Sequence, residues 1–104
     1  PSRSVQARPA RPAFVEAPRP LLRPAPRYPG ALEGEALSGR VVVRFEVDVD
    51  GQVQAVEVRR SSHKLFADAV HAALAQWRFA PARAASGEAV PAQLVQAFDF
   101  RMGD

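Results

Sequence analysis

The stretch GRVVVRFEVDVDGQVQAVEVRR, residues 39–60, decides the fold. Val41, Val43, Phe45, Val47 and Val49 recur at every second position, with Arg40, Arg44, Glu46 and Asp48 between them. Successive side chains of a strand point to opposite faces, so this alternation predicts a strand with one dry face and one wet face. Val42 departs from the pattern, a sign that part of the outer face is covered as well. Asp50-Gly51 predicts a tight hairpin turn built on positive φ angles. A second β-branched run follows, with Val53, Val56 and Val58. Its parity changes between Val53 and Val56, which predicts a β-bulge there. A two-stranded hairpin is marginal in water by itself, so the rest of the chain must cover its dry face.

Working outward, Lys64 to Trp77 predicts an amphipathic helix. Phe66, Val70, Ala73, Leu74 and Trp77 fall on one stripe, widened by Leu65, Ala69 and Ala72. Ser61 or Ser62 is placed to cap it, and Pro81 to stop it. The stripe is expected to bury against the odd-numbered face of the first strand. Arg83 to Glu88 reads as a loop turning at Ser86-Gly87, and Ala89 to Phe100 as the last strand. On that strand Leu94, Phe98 and Phe100 share the parity expected to face the helix, and Gln93, Val95, Ala97 and Asp99 share the other. Before the hairpin, Ala31 to Leu37 has room for one or two helical turns after Pro29. A right-handed strand–helix–strand crossover lays the third strand parallel to the second, with the first between them and the third at an edge. The expected class is therefore α+β: a short N-terminal helix, a β-hairpin, an amphipathic helix and a third strand, forming a three-stranded antiparallel sheet packed on one helix.

With 104 residues, one domain is expected. Eight of the ten prolines lie in residues 1–29. Residues 1–27 carry six Arg against one Glu, a net charge of +5, while residues 28–104 carry eight basic and ten acidic residues, a net charge of −2. The high isoelectric point, about 10.6, thus belongs to the N-terminal segment, and the folded part is close to neutral, which argues against nucleic-acid binding by the globular region. Residues 1–25 read as an Arg/Pro-rich flexible linker, since proline fixes φ and cannot donate a backbone hydrogen bond. Residues 26–104 read as the domain. Fully extended as polyproline II at about 3.1 Å per residue, the linker spans up to roughly 80 Å. No membrane span and no signal peptide is visible.

Enzyme chemistry finds little support. The chain has no cysteine, which removes disulfides and thiolate metal sites. His63 and His71 are eight residues apart, too far to share a helical turn, and no ligand cluster joins them. Ser61, Ser62, His63 and Asp68 contain the groups of a hydrolase triad, but no nucleophile-elbow glycine pattern surrounds them. Asp48 and Asp50 are most simply turn residues. There is no Gly-rich phosphate loop, and neither a cofactor nor a metal is expected.

The chain resembles the TonB C-terminal domain family, the periplasmic end of the energy transducer TonB. The pieces that carry the resemblance are Tyr28-Pro29, Gly39 to Val47, Asp50-Gly51-Gln52-Val53, Ser61-Ser62, the Trp77-Arg78-Phe79 that closes the helix with Pro81 beyond it, and Phe98-Asp99-Phe100. They run in order, at family spacing, over about residues 26–100. His63-Lys64 departs from the glycine that many relatives carry after the paired serines.

The resemblance implies a function without catalysis. Such domains bind the TonB box, an extended segment of an outer-membrane TonB-dependent receptor, and relay a pull powered by the proton-motive force through ExbB and ExbD. The receptor then admits a siderophore, haem or cobalamin. The implied partner-binding residues are the edge strand Gln93, Leu94, Val95, Gln96, Ala97, Phe98, Asp99 and Phe100, with the preceding segment Arg23, Pro24, Ala25, Pro26, Arg27 and Tyr28. Phe45, Phe66, Val70, Trp77 and Phe79 are expected in the core. The implied location is the periplasm, held to the inner membrane by a helix on the N-terminal side. Exposed strand edges also permit a strand-swapped homodimer. Two other readings stand beside this one: a TonB-like structural or assembly adaptor in the envelope, and a binder of anionic surfaces or nucleic acid through the Arg-rich segment.

Overall fold

The computed structural model describes residues 14–101. In chain order the elements are β1 (Arg19–Leu22), a 3-10 helix (Gly30–Glu35), β2 (Gly39–Val47), β3 (Val53–Ser61), α1 (Lys64–Leu74), β4 (Arg78–Ala80), β5 (Ala82–Arg83), β6 (Ala89–Val90) and β7 (Ala92–Phe100). The main sheet is antiparallel with the order β3-β2-β7, so β7 lies at an edge and β2 in the middle. This is the α+β architecture expected from the sequence, a three-stranded sheet with one helix on its dry face.

The alternation is realised from Val41 to Val47 but not at Val49, which lies beyond the end of β2 in the hairpin loop and is exposed. Val41, Val43, Phe45 and Val47 are buried and meet Phe66, Val70 and Leu74 of α1 in one core with Trp77, Phe79 and Phe100. Aromatic contacts organise it: Phe66 stacks on Phe100 at 4.5 Å, and Phe45 meets Trp77 edge-on at 6.1 Å. The bulge also forms. Arg44 pairs with Glu57 and Glu46 with Gln54, leaving Ala55 and Val56 opposite Phe45, and Ala55 adopts φ +52°. A second irregularity, not foreseen, leaves Arg59 as an extra residue between the Val42–Arg60 and Val43–Val58 pairs.

The hairpin turn differs from the expected two-residue form. Only Gly51 has positive φ, at +83°. Asp48 pairs with Gln52 across a three-residue loop whose glycine supplies the left-handed conformation. The Asp48 carboxylate holds the loop, accepting from the backbone N–H groups of Asp50 and Gln52 at 2.9 Å each. The Gln52 bond is the main reason its pKa lies below the ordinary 3.8, against a smaller opposing effect of desolvation. A depressed carboxyl pKa means stability that is present above the unfolded value and lost as pH falls through the folded one. Asp48→Asn, which resembles the protonated acid at every pH, should therefore be less stable than the parent at neutral pH and converge on it as pH falls below about 4, so that its acid limb is flatter. Thermal melts of both proteins across that range test this.

Helix α1 is capped by neither serine. His63, in extended conformation, accepts from the Leu65 N–H through Nδ1 at 3.0 Å, while Ser61 and His63 bond to one another. His63→Ala should cost about 1 kcal/mol and His63→Asn much less, as for other caps, measured by denaturant melts. The helix also ends earlier than expected, at Leu74 and not Trp77. Gln76 and Trp77 bond back to Ala73 and Leu74 in tighter turns, and the chain then straightens into β4, so Pro81 is not what stops the helix.

The N-terminal segment differs most from the linker reading. Residues 1–13 lie outside the described part of the chain. From residue 15 onward, however, the chain follows the domain: Glu16 pairs with Arg83, and β1 pairs with β4 in antiparallel fashion. Proline does not forbid this, because a strand at an edge needs its donors on one side only.

Candidate partner-binding edge

Backbone hydrogen-bond parity decides which groups of β7 are free. On β2 the Arg40 carbonyl accepts from Ser62 N–H, and just beyond its end Asp48 N–H donates to the Gln52 carbonyl. Even-numbered residues of β2 therefore turn their backbone groups toward β3, and the odd-numbered ones toward β7. The β2–β7 register is unbroken over nine pairs, from Gly39–Phe100 to Val47–Ala92. Val41–Phe98, Val43–Gln96, Phe45–Leu94 and Val47–Ala92 are thus the hydrogen-bonded pairs. Gln93, Val95, Ala97 and Asp99 turn N–H and C=O outward, where no other described strand pairs with them. The Gln96 side chain donates to the Ala97 carbonyl at 3.1 Å, as expected if that carbonyl lacks a strand partner.

The side chains alternate with the same period. Phe100 and Ala92 are buried, and Leu94 and Phe98 pack on the core. Gln93, Val95 and Asp99 are exposed, Val95 to 66%. Beneath the edge, Trp77 contacts Phe98 at 5.6 Å between ring centres. The opposite edge, β3, is a poorer template, because two bulges break its ladder and Arg59 and Arg60 stand on it.

The two halves of the sequence-derived site meet at Trp77. Its Nε1–H donates to the Pro24 carbonyl at 2.8 Å, and the Arg23 guanidinium lies over the indole at 5.8 Å. Ala25 and Arg27 line a groove with Ala69 and Ala72 of α1 and Gln76 just beyond its end. Tyr28 is tied inward: its hydroxyl donates to the Leu37 carbonyl at 2.6 Å and its ring meets Phe66 edge-on. Phe45, Phe66, Val70, Trp77 and Phe79 all lie in the buried core. Sequence reasoning ran β6 and β7 together as one strand from Ala89, although β6 ends at Val90 and pairs with β5. It also missed β1, β4 and β5 and the part of Pro24 in holding the tryptophan. The only signal for them was the extended, β-compatible Pro-Leu-Leu run of residues 20–22.

Among the described residues no cluster of three or more His, Cys, Asp or Glu is placed to hold a metal ion. Among the same residues no helix is long and apolar enough to cross a membrane.

Comparison with known proteins points the same way. The family model for the Gram-negative bacterial TonB protein C-terminal matches residues 24–102. Protein TonB of Pseudomonas aeruginosa is 33% identical over 85 residues, which is 81% of this chain and 25% of that protein. Protein TonB of Escherichia coli K12 is 32% identical over 76 residues, 72% of this chain and 32% of that protein. The chain thus spans only about a quarter to a third of these relatives. The solution NMR structure of the Pseudomonas aeruginosa TonB CTD superposes with a TM-score of 0.72 at 31% identity, covering 84% of this chain and 88% of that one.

Proposed function

Because the chain belongs to the Gram-negative bacterial TonB protein C-terminal family, we propose that it is the receptor-binding end of a periplasmic energy transducer. In this reading it takes up the TonB box of an outer-membrane TonB-dependent receptor as an added strand on β7. It then passes on a pull generated at the inner membrane by ExbB and ExbD and delivered from the N-terminal side. The receptor so opened imports a siderophore, haem or cobalamin. No step in this is catalytic; the work is mechanical.

The open backbone of Gln93, Val95, Ala97 and Asp99 is the observation that carries the reading. Unpaired ladder groups on a long regular edge are a template for an extended peptide. Such pairing uses backbone groups that every sequence has, so one domain can serve several receptors. The segment from Arg23 to Tyr28 supports the edge from behind: Arg23 and Pro24 hold Trp77, and Trp77 packs under Phe98.

The test is a titration of labelled domain with a receptor's TonB-box peptide. Binding should be modest, around micromolar, because the peptide loses conformational freedom on docking. Amide shifts should concentrate on Gln93–Phe100. Val95→Pro and Ala97→Pro each remove an outward donor, so each should weaken binding by about tenfold or more while the domain still folds. Gln96→Pro removes a donor from the β2–β7 ladder and should instead unfold the edge. Shifts confined to the Asp48–Gln52 loop, with Val95–Phe100 silent, would defeat the proposal.

A further inference from the structure

Two arginines on the outer face of the sheet are left without a counter-ion. Arg40 bonds Asp99 at 3.0 Å, and Arg44 bonds Gln93 at 2.8 Å and lies 3.9 Å from Glu57. Arg59 and Arg60 pair with no carboxylate among the described residues. The irregularity in β3 brings both to the same place. Together with Val42 and Val95 they line an open hollow of about 510 Å³. Its floor is apolar, and Val95 is largely exposed at the middle of the strand whose edge is free.

Two guanidinium groups sharing one hollow repel each other, and a carboxylate between them relieves that repulsion with charge-assisted hydrogen bonds. A strand added to β7 brings side chains to this face. In an antiparallel addition, residues opposite Val95 and Ala97 point to the same side of the sheet as those two, the side that carries Val42 and Arg60. Arg60, Val42 and Ala97 form one cross-strand row. The new strand lies about 14 Å from β3, three spacings of ~4.8 Å, which an arginine and a glutamate reaching toward each other over the small Val42 and Ala97 side chains can span.

We propose that Arg59 and Arg60 read the partner, selecting extended peptides that carry a carboxylate on the outer-face set of positions. This rests on the strand-addition reading above. Backbone pairing supplies general affinity, and the arginine pair adds a choice among peptides. Val95 and the arginine stems favour an apolar or β-branched residue beside the acid.

The probe is a Thr/Val-rich peptide of strand length with one Glu placed in turn at each position, and its Gln and Lys counterparts, titrated into the labelled chain. Glu should bind about threefold to tenfold tighter than Gln at alternate positions only, and Lys weaker than either. That advantage should shrink as salt is raised. It should vanish in the Arg59→Gln/Arg60→Gln variant and survive in Arg59→Lys/Arg60→Lys. Both variants change exposed side chains, and an unchanged amide spectrum elsewhere shows that they fold. Equal affinity for Glu and Gln peptides that still shift Val95–Asp99 overturns the arginine proposal and leaves strand addition standing. So does a Glu preference that persists unchanged in the Gln double variant. Peptides that leave Val95–Asp99 silent overturn both.

Discussion

Trp77→Ala should lower the unfolding free energy by about 3–5 kcal/mol, the range for deleting a large buried aromatic. Trp77 is 3% exposed, although it lies beyond the end of α1. Its ring meets Phe45, Phe79 and Phe98, so deletion opens a cavity that no neighbour can fill by rotation alone. The Pro24 carbonyl loses its donor, and Arg23 loses the face it covers. The N-terminal strand should then exchange its amides faster than the main sheet does. Trp77→Phe separates the two effects: it keeps most of the packing and loses the hydrogen bond, at a cost of about 1–2 kcal/mol. Denaturant melts measure the stabilities and hydrogen exchange follows β1. An unchanged midpoint for the alanine variant would place Trp77 outside the core.

Gly51→Ala should cost roughly 2–4 kcal/mol, from a left-handed backbone and a steric conflict together. Gly51 has φ +83°, and a methyl group there would collide with the Phe79 carbonyl oxygen. The contact is close because the hairpin tip docks on β4: Phe79 N–H donates to the Gly51 carbonyl at 2.8 Å, and Gln52 pairs with Arg78. The tip of the central hairpin is therefore fastened to the strand that also holds β1. A variant that loosens the turn should lower the protection of β4 as well as its own. Gly87→Ala is the control: Gly87 has φ +89° but open space around it, so only the backbone penalty applies. Equal losses at the two sites would show that the docking of the tip contributes nothing.

The main sheet was legible because its signals are local and periodic. Apolar residues at period two from Val41 to Val47, a change of parity in the second strand and a 3.6-residue stripe leave few arrangements that bury every dry face. The edge position of β7 followed from the handedness of the crossover, and the family resemblance is what made Gln93–Phe100 the candidate site. Other features were not legible. His63 is an uncommon cap, and it takes the place of two residues that cap far more often. The turn was read one residue too short, because Asp-Gly serves both two- and three-residue hairpins and the choice lies with the partners of Asp48.

What the sequence determined alone is the arrangement of β2, β3, α1 and β7 and the residues that fill the space between them. Only the tertiary structure decided how the arginine- and proline-rich segment is used. Its composition describes a chain with few apolar residues to repay ordering, and by that measure it is a linker. Residues 19–24 are nevertheless held, because the fold places an unsatisfied strand, β4, and an indole N–H where that segment passes. Whether a backbone donor or a carbonyl finds a partner depends on what lies beside it in space. That neighbour is 53 residues away along the chain in the Pro24–Trp77 bond, and hydrophobic pattern carries no record of it.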